Sequence, residues 1–303
     1  RNAELSDQAV FGGIELGGTK IVMAIGRADG AITARATIAT APPDQVLPQL
    51  AAFFSAAGSE LRGVGVGAFG PIVIDPASAD YGCLLETNKP GWSGFDLAGA
   101  LSAELKSPLK IVTDVGAAAI GEARLGALRG AGLGIYITVG TGIGGAILAN
   151  GEILPALLHP ELGHVSLLRR AGDGAPSVCR FHPDCAEGLI AGPAIFARFG
   201  RQLAASDASG PEIALVADYL GQLCASLVLT LSPHRIVIGG GVSQVAGLLP
   251  LVQQEMLRQL GGYGLVGLDD PAFIRSPELG QDAGIVGALL LGAQLGSLIP
   301  PAC

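Results

Sequence analysis

The chain has 303 residues, half of them apolar, with a formal net charge of −8. That length supports a large core and usually divides into two domains. The acidic balance and the lack of any basic run exclude the electrostatic footprint of a nucleic-acid binder. Apolar runs are broken by Gly, Pro or charge before ~18 residues, so no segment is expected to span a membrane.

The first residues, Arg1–Gln8, are polar and carry no apolar targeting core, so the expected location is the cytoplasm. From Phe11 a β pattern begins: Phe-Gly-Gly-Ile-Glu15-Leu, a turn of Gly17, Gly18, Thr19 and Lys20, then Ile-Val-Met-Ala-Ile and a third stretch from Ile32 to Ile38. Short glycine-containing turns between such runs predict a meander. The turn exposes backbone N–H groups beside a hydroxyl and a cation, so it is either a plain hairpin or a phosphate cradle. It lacks the Walker spacing. Pro43–Ala57 carries a helical pattern, and Gly63–Ala68 reads as a buried strand.

Gly65, Gly67 and Gly70 match the dinucleotide fingerprint in spacing, but Pro71 and three β-branched residues follow where that motif needs a helix. The polar loop Tyr81–Trp92 offers the amide of Asn88, the ammonium of Lys89 and an indole. It is either a carbohydrate-binding loop or a surface loop with a packed Trp. Lys110–Asp114 is a short strand ending on a carboxylate, with a helix from Gly116 to about Leu128 behind it. Asp114 is then an N-cap, or a general base at the strand end where α/β sheets gather their ligands.

Leu133–Leu148 repeats the opening theme: strand, Gly140-Thr141-Gly142-Ile-Gly-Gly, strand, then the hairpin signal Asn150-Gly151. Ile-Glu-Leu-Gly-Gly-Thr-Lys-Ile-Val-Met-Ala-Ile and Ile-Thr-Val-Gly-Thr-Gly-Ile-Gly-Gly-Ala-Ile-Leu are internal echoes, one per half of the chain. Two related domains facing each other across a cleft are expected.

Between His159 and Glu187 fall three of the four histidines and two of the five cysteines. Cys179, His182 and Cys185 sit three apart around Pro183, which suits a loop wrapped on Zn²⁺. His164 or His159 would supply the fourth ligand; His164 is preferred because Gly163 lets the backbone approach closely. The alternatives are reduced loop cysteines beside a disconnected histidine, or a Cys179–Cys185 disulfide. A closed site would be structural and would pin a loop carrying Glu161 and Glu187, where substrate is expected. Helices are predicted over Gly188–Phe199 and Glu212–Leu231, a buried strand from His234 into Gly239, Gly240 and Gly241, a helix from about Ser243 to Leu260, and a packing helix over Asp282–Leu298. Glycine backbone at that strand-to-helix junction would let a planar group such as adenine lie against the chain.

Taken together, Glu15-Leu-Gly-Gly-Thr-Lys20, Thr113-Asp114, Val139–Gly145, Glu161-Leu-Gly-His164, Cys179-x-x-His182-x-x-Cys185-x-Glu187-Gly and Ile238–Gly241 resemble the ROK family of sugar kinases and repressors. The resemblance covers Phe11–Leu298 and is nearest the bacterial zinc-containing fructokinase branch. It implies an α/β fold of two ribonuclease-H-like (actin-like ATPase) domains, with mixed five-stranded sheets around a cleft. The expected division is a small domain at 10–115 joined by the helix at 282–298, and a large domain at 116–281 with the zinc loop at 159–187.

By position, the resemblance makes Asp114 the base for a sugar 6-hydroxyl. Gly17, Gly18, Thr19 and Lys20, with Gly140, Thr141 and Gly142, would hold the phosphates and Mg²⁺ of ATP; Gly239, Gly240 and Gly241 would border adenosine. Thr113, Glu161, His164 and Glu187 would surround the sugar with Asn88, while His164, Cys179, His182 and Cys185 hold structural Zn²⁺.

A homodimer acting on sugar and ATP is implied, with fructose as first substrate and glucose, mannose or N-acetylmannosamine as alternatives. Gly116 stands where many relatives carry a sugar-contacting Asn, which leaves the sugar open. Repressor relatives carry a DNA-binding helix-turn-helix before the first phosphate loop; ten residues precede Phe11, so that role is not expected. The rival from another class is an idle sugar sensor, against which Asp114 and both phosphate loops argue, since a binder needs no base.

Overall fold

The computed structural model describes residues 9–56, 60–203, 210–264 and 266–296. The chain divides into two compact units. The first holds the described residues up to Leu125, Ile153–His159 and those from Gln281 on; the second holds Gly126–Glu152 and Pro160–Gly280.

In the first unit the β-rich opening folds as the predicted meander of β1 (Phe11–Leu16), β2 (Lys20–Gly26) and β3 (Ile32–Ala39), each antiparallel to the next. Helix α1 (Pro43–Ser55) starts with Pro where the missing N–H costs nothing, and it buries Val46, Leu50 and Phe54 along one stripe. Ala57, where that helix was expected to end, lies outside the described residues. Strand β4 (Val64–Ala68) runs parallel to β1.

Helix α2 (Leu97–Leu105), absent from the sequence reading, is capped by the Asp96 carboxylate, which accepts the Gly99 N–H at 2.8 Å. Strand β5 (Leu109–Thr113) then runs parallel to β4 and feeds directly into α3 (Asp114–Leu125). The sheet order is β3-β2-β1-β4-β5. Its core packs Ile14, Leu16, Met23, Val66 and Ile111 with Trp92, Leu97 and Leu101.

The second unit repeats that scheme. Strands β6 (Leu133–Val139) and β7 (Ile143–Ala149) are the antiparallel hairpin that echoes β1 and β2. Asn150 and Gly151 turn the chain with φ of 52° and 79°, which only such residues adopt cheaply, into β8 (Glu152–Ile153). The helix expected over Gly188–Phe199 is two helices, α4 (Ala186–Ile190) and α5 (Gly192–Phe199). Pro193 explains the break, because its ring and missing N–H cannot continue an α turn past Ala191.

Helix α6 (Pro211–Leu231) is long and apolar enough to cross a bilayer, yet most of its surface is buried in this unit, as for a core helix. Strand β9 (Arg235–Gly239) runs parallel to β6 and ends in the glycine run. The helix expected from Ser243 begins later, as α7 (Leu248–Leu260). Val242–Gln244 makes only a 3₁₀ turn, and Gly247 takes a left-handed φ of 77° before α7. A two-residue strand β10 (Ile274–Arg275), also unforeseen, pairs parallel with β9 and completes the order β10-β9-β6-β7-β8.

The chain then returns to the first unit as α8 (Ala283–Gly296); Ser297 and Leu298, included in the expected helix, lie outside the described residues. This apolar, small-residue helix lies on β1 and β4 and against α3 at backbone distance. A Cβ on Gly287 would overlap the Ala117 carbonyl and fall 2.9 Å from the Gly121 nitrogen. Ala is worth about 1 kcal/mol over Gly in helix propensity, but a rigid backbone clash costs about 1–3 kcal/mol and cannot relax by rotating a side chain. Gly287→Ala is therefore expected to destabilise the protein, read as a lower midpoint in chemical denaturation. An unchanged or raised midpoint would remove the close-packing argument.

Candidate active site and metal cluster

At the C-terminal end of β5 the chain turns straight into α3, and this junction places Asp114. Thr113 Oγ1 accepts the Gly116 N–H at 2.9 Å and so caps the helix, while Asp114 Oδ1 accepts the Val115 N–H at 2.8 Å. Burial pushes the Asp114 carboxyl up to about 7; the Val115 N–H opposes this, and the Glu15 carboxylate adds to it. Glu15 projects from β1 beside the N-terminus of α8, and a Cβ on Gly284 would fall 2.6 Å from its carboxyl carbon. Its pKa is also raised, chiefly by burial, with Lys20 and Arg35 opposing and the Ile285 N–H bonded to it. The sequence reading quoted Glu15 but gave it no role.

The Gly17–Lys20 turn is held by Gly17 N–H donating to Lys20 O at 3.1 Å and by the Thr40 hydroxyl donating to Gly17 O at 2.7 Å. Among the described residues no acceptor takes the N–H groups of Gly18 and Thr19. Such consecutive open donors form an anion-binding concavity. The Tyr81–Trp92 loop reaches this turn, though not as an indole platform for sugar. Trp92 is wholly buried, donating to Ala41 O at 2.9 Å and packed edge-on to Phe69 and Phe95. Asn88 is exposed, and Lys89 lies over Gly18.

In the second unit, Gly140 N–H donates to Gly142 O at 2.9 Å, and no acceptor among the described residues takes the N–H groups of Thr141 and Gly142. Glu187, at the start of α4, accepts the Ile143 N–H at 2.9 Å and lies against Gly142. It therefore braces this turn, a contact that no local spacing announces. Gly240 has a φ of 88°, and any Cβ there would strike the Val139 carbonyl; Gly241 has open space around it, as a binding edge needs. Glu161 is exposed, at the start of the 3₁₀ turn Leu162–His164.

His164, Cys179, His182 and Cys185 come together, with their ligand atoms all within 4.8 Å of one another. Cys179 Sγ lies 3.8 Å from His164 Nδ1 and 3.7 Å from His182 Nδ1. A tetrahedral Zn²⁺ with ordinary Zn–S and Zn–N bonds would set such edges at about 3.6 Å, so the donor set and its spacing fit that ion. His159, the other candidate for fourth ligand, is engaged in the first unit, where its Nε2 accepts the Ile72 N–H at 3.3 Å. Cys179 and Cys185 are free thiols, so the disulfide alternative is not formed. Burial pushes the Cys185 thiol up to about 11, against the Gly188 N–H that bonds its sulfur at 3.3 Å.

The profile described as the ROK family matches residues 11–294. The chain belongs to the ROK family. This ROK chain is 36% identical over 283 residues to a fructokinase of Pediococcus pentosaceus, covering 93% of this chain and 97% of that protein. It is 34% identical over 293 residues to a fructokinase of Zymomonas mobilis subsp. mobilis, covering 94% and 97%. Among solved structures, a ROK hexokinase from Thermus thermophilus has the same fold with a TM-score of 0.77 at 28% identity, covering 94% of this chain and 98% of that one. The two mixed five-stranded sheets are those of the actin-like ATPase fold of ROK kinases.

Proposed function

We propose that this ROK protein is an ATP-dependent fructokinase that phosphorylates the 6-hydroxyl of D-fructose to fructose 6-phosphate. The observation that carries the reading is Asp114: a carboxylate at a strand end whose pKa of about 7 suits a proton acceptor at neutral pH. The similarity to fructokinases along nearly the whole chain supports fructose as the acceptor.

The ionised Asp114 orients the 6-hydroxyl and takes its proton as O6 attacks the γ-phosphorus. The O6–P bond forms, the bond from phosphorus to the ADP oxygen breaks, and its electron pair leaves with ADP. Phosphoryl transfer needs positioning and charge neutralisation more than covalent help. The open N–H groups of Gly18 and Thr19 in the Gly17–Lys20 turn, and of Thr141 and Gly142 in the Gly140–Gly142 turn, are assigned to the phosphates, and Gly239–Gly241 to adenosine. Mg²⁺ arriving with ATP would be held with the phosphates at these two turns and would offset their charge.

Asn88, Thr113, Glu161, His164 and Glu187 are assigned to the sugar. His164 can serve both roles, because Nδ1 faces the cluster and leaves Nε2 for a hydroxyl. Zn²⁺ on His164, Cys179, His182 and Cys185 would be structural, since four protein ligands leave no open position. A cytoplasmic homodimer completes the proposal; light scattering on the eluting protein measures the mass.

The test is ADP release from Mg-ATP with fructose, mannose, glucose and N-acetylmannosamine. Fructose is expected to lead. A strong preference for another sugar keeps the reaction and moves the substrate, whereas no ADP with any of them, from folded metal-loaded protein, sinks the kinase and favours a sugar sensor.

A further inference from the structure

We propose that Lys89 is a catalytic residue: its ammonium contacts the γ-phosphoryl group of ATP over the Gly17–Lys20 turn and neutralises charge as that group moves to the sugar. The inference rests on the kinase reading above and adds a cation that neither the motifs nor the family comparison assigns.

An ideal Cβ built on Gly18 would fall 3.2 Å from both Cε and Nζ of Lys89. The absence of a side chain at Gly18 is thus what lets the ammonium lie directly on the turn. Beneath it are the Gly18 and Thr19 N–H groups, for which the described residues provide no acceptor. Two open backbone donors and a cation converging on one spot make a site for an anion with several oxygens.

Lys89 is also anchored, unlike an ordinary surface lysine. Its carbonyl accepts the Trp92 N–H at 3.1 Å, closing a turn whose last residue is the fully buried Trp92. Gly91 takes a left-handed φ of 79° with Pro42 and Pro43 packed beneath it. The Lys89 N–H donates to Thr87 Oγ1 at 3.4 Å, and Ser93 ties the other side of the loop to Thr87 through bonds of 3.0 and 2.9 Å. A preset backbone means that less loop-ordering entropy remains to be lost on binding.

Lys20, the motif lysine, starts β2, and its charge acts on the buried Glu15 carboxylate. No carboxylate among the described residues pairs with Lys89. Asn88, assigned above to the sugar, precedes Lys89, so one loop would touch both the acceptor and the group being transferred. In the transfer step the 6-hydroxyl proton goes to Asp114, and Lys89 neither gains nor loses one. Removing a single preorganised donor from a developing anion typically costs about 10²–10³ in kcat.

The experiment compares wild type with Lys89→Met, which keeps the stem and removes the charge, and Lys89→Arg, which keeps the charge. Kinetics with Mg-ATP and fructose are expected to show kcat down about 10²-fold or more in Lys89→Met, with fructose KM within roughly threefold, and partial recovery in Lys89→Arg. The deciding readout is calorimetric binding of Mg-AMPPNP against Mg-ADP, which differ by the γ-phosphoryl group. Lys89→Met is expected to weaken Mg-AMPPNP roughly 10–100-fold more than Mg-ADP. If the variant keeps the wild-type ratio of the two affinities, the contact is absent and the proposal is overturned, whatever kcat does. If wild type releases no ADP with any sugar, the kinase reading fails by itself, and the same affinity ratio still decides whether Lys89 meets the γ-phosphoryl group.

Discussion

Asp114→Asn is expected to lower kcat with fructose by roughly 10²–10⁴, the range general-base catalysis supplies, with little change in fructose KM. Asn keeps the shape and can still orient the 6-hydroxyl, but it cannot take the proton. The pH profile gives the matching sign. In the proposed mechanism the ionised form is the base, so wild-type kcat/KM should rise through an acid limb near the raised pKa of about 7 and level off above it. Because Glu15 helps to raise that pKa, Glu15→Gln should move the limb to lower pH.

Stability runs the other way. A carboxyl at 3.8 when unfolded and about 7 when folded favours the fold while protonated, a contribution present below 3.8 and lost as pH rises through about 7. Asp114→Asn keeps a neutral group there at every pH, so at pH above 7 it should melt no lower than wild type while being nearly inactive. An active Asp114→Asn, or one inactive only because it unfolds, would refute the base assignment.

The repeated strand–turn–strand motif was legible because a Gly/Thr turn between apolar runs is local information. It marks β1–β2 and β6–β7, the hairpins around which both sheets assemble in the same order. The gathering of His164 with Cys179, His182 and Cys185 was legible for a similar reason, since thiols and imidazoles at that density have few other uses. Side chains brought together by distant backbone were not legible. Nothing near Lys89 says that Gly18 is its neighbour, and nothing near Glu187 says that it braces Ile143. An indole suits a sugar face as well as a core, and only the distant Ala41 O, to which the Trp92 indole is bonded, decides for the core. Two further features are local in the sequence: Asp96 three residues before Gly99 is a helix cap, and Pro193 marks the break between α4 and α5.

Purified without chelators, the protein is expected to carry one zinc per chain, and stripping that ion should lower its melting temperature without unfolding it outright. A metal held at a thousand times its Kd adds about 4 kcal/mol by linkage, which for a unit of this size is roughly 8–16 °C in Tm. The loop has other supports that limit the damage. Arg169 bonds Asp184 at 2.5 Å and the carbonyls of Ala175 and Pro183 at 2.6 and 3.0 Å, while Asp173 is held by both Arg198 and Tyr219. These contacts need no metal, so the chelated protein should keep its helices by circular dichroism.

What it should lose is the position of Cys185, whose sulfur caps α4 by accepting the Gly188 N–H, two residues from Glu187. Glu187 in turn accepts the Ile143 N–H beside the Gly140–Gly142 turn, so zinc loss should weaken Mg-AMPPNP binding without removing any residue that touches the nucleotide. Cys179→Ser, which removes the sulfur that lies 3.8 Å from His164 Nδ1 and 3.7 Å from His182 Nδ1, is expected to reproduce the loss of metal, the lower Tm and the weaker binding together. The ion should also leave as pH falls, because each thiolate must be reprotonated for release, and the Cys185 thiol, pushed up to about 11, takes its proton readily. Metal analysis after dialysis at pH 5 and at pH 8 checks this. Full retention at both, or a Cys179→Ser protein with wild-type zinc content, would show that the cluster does not hold the metal.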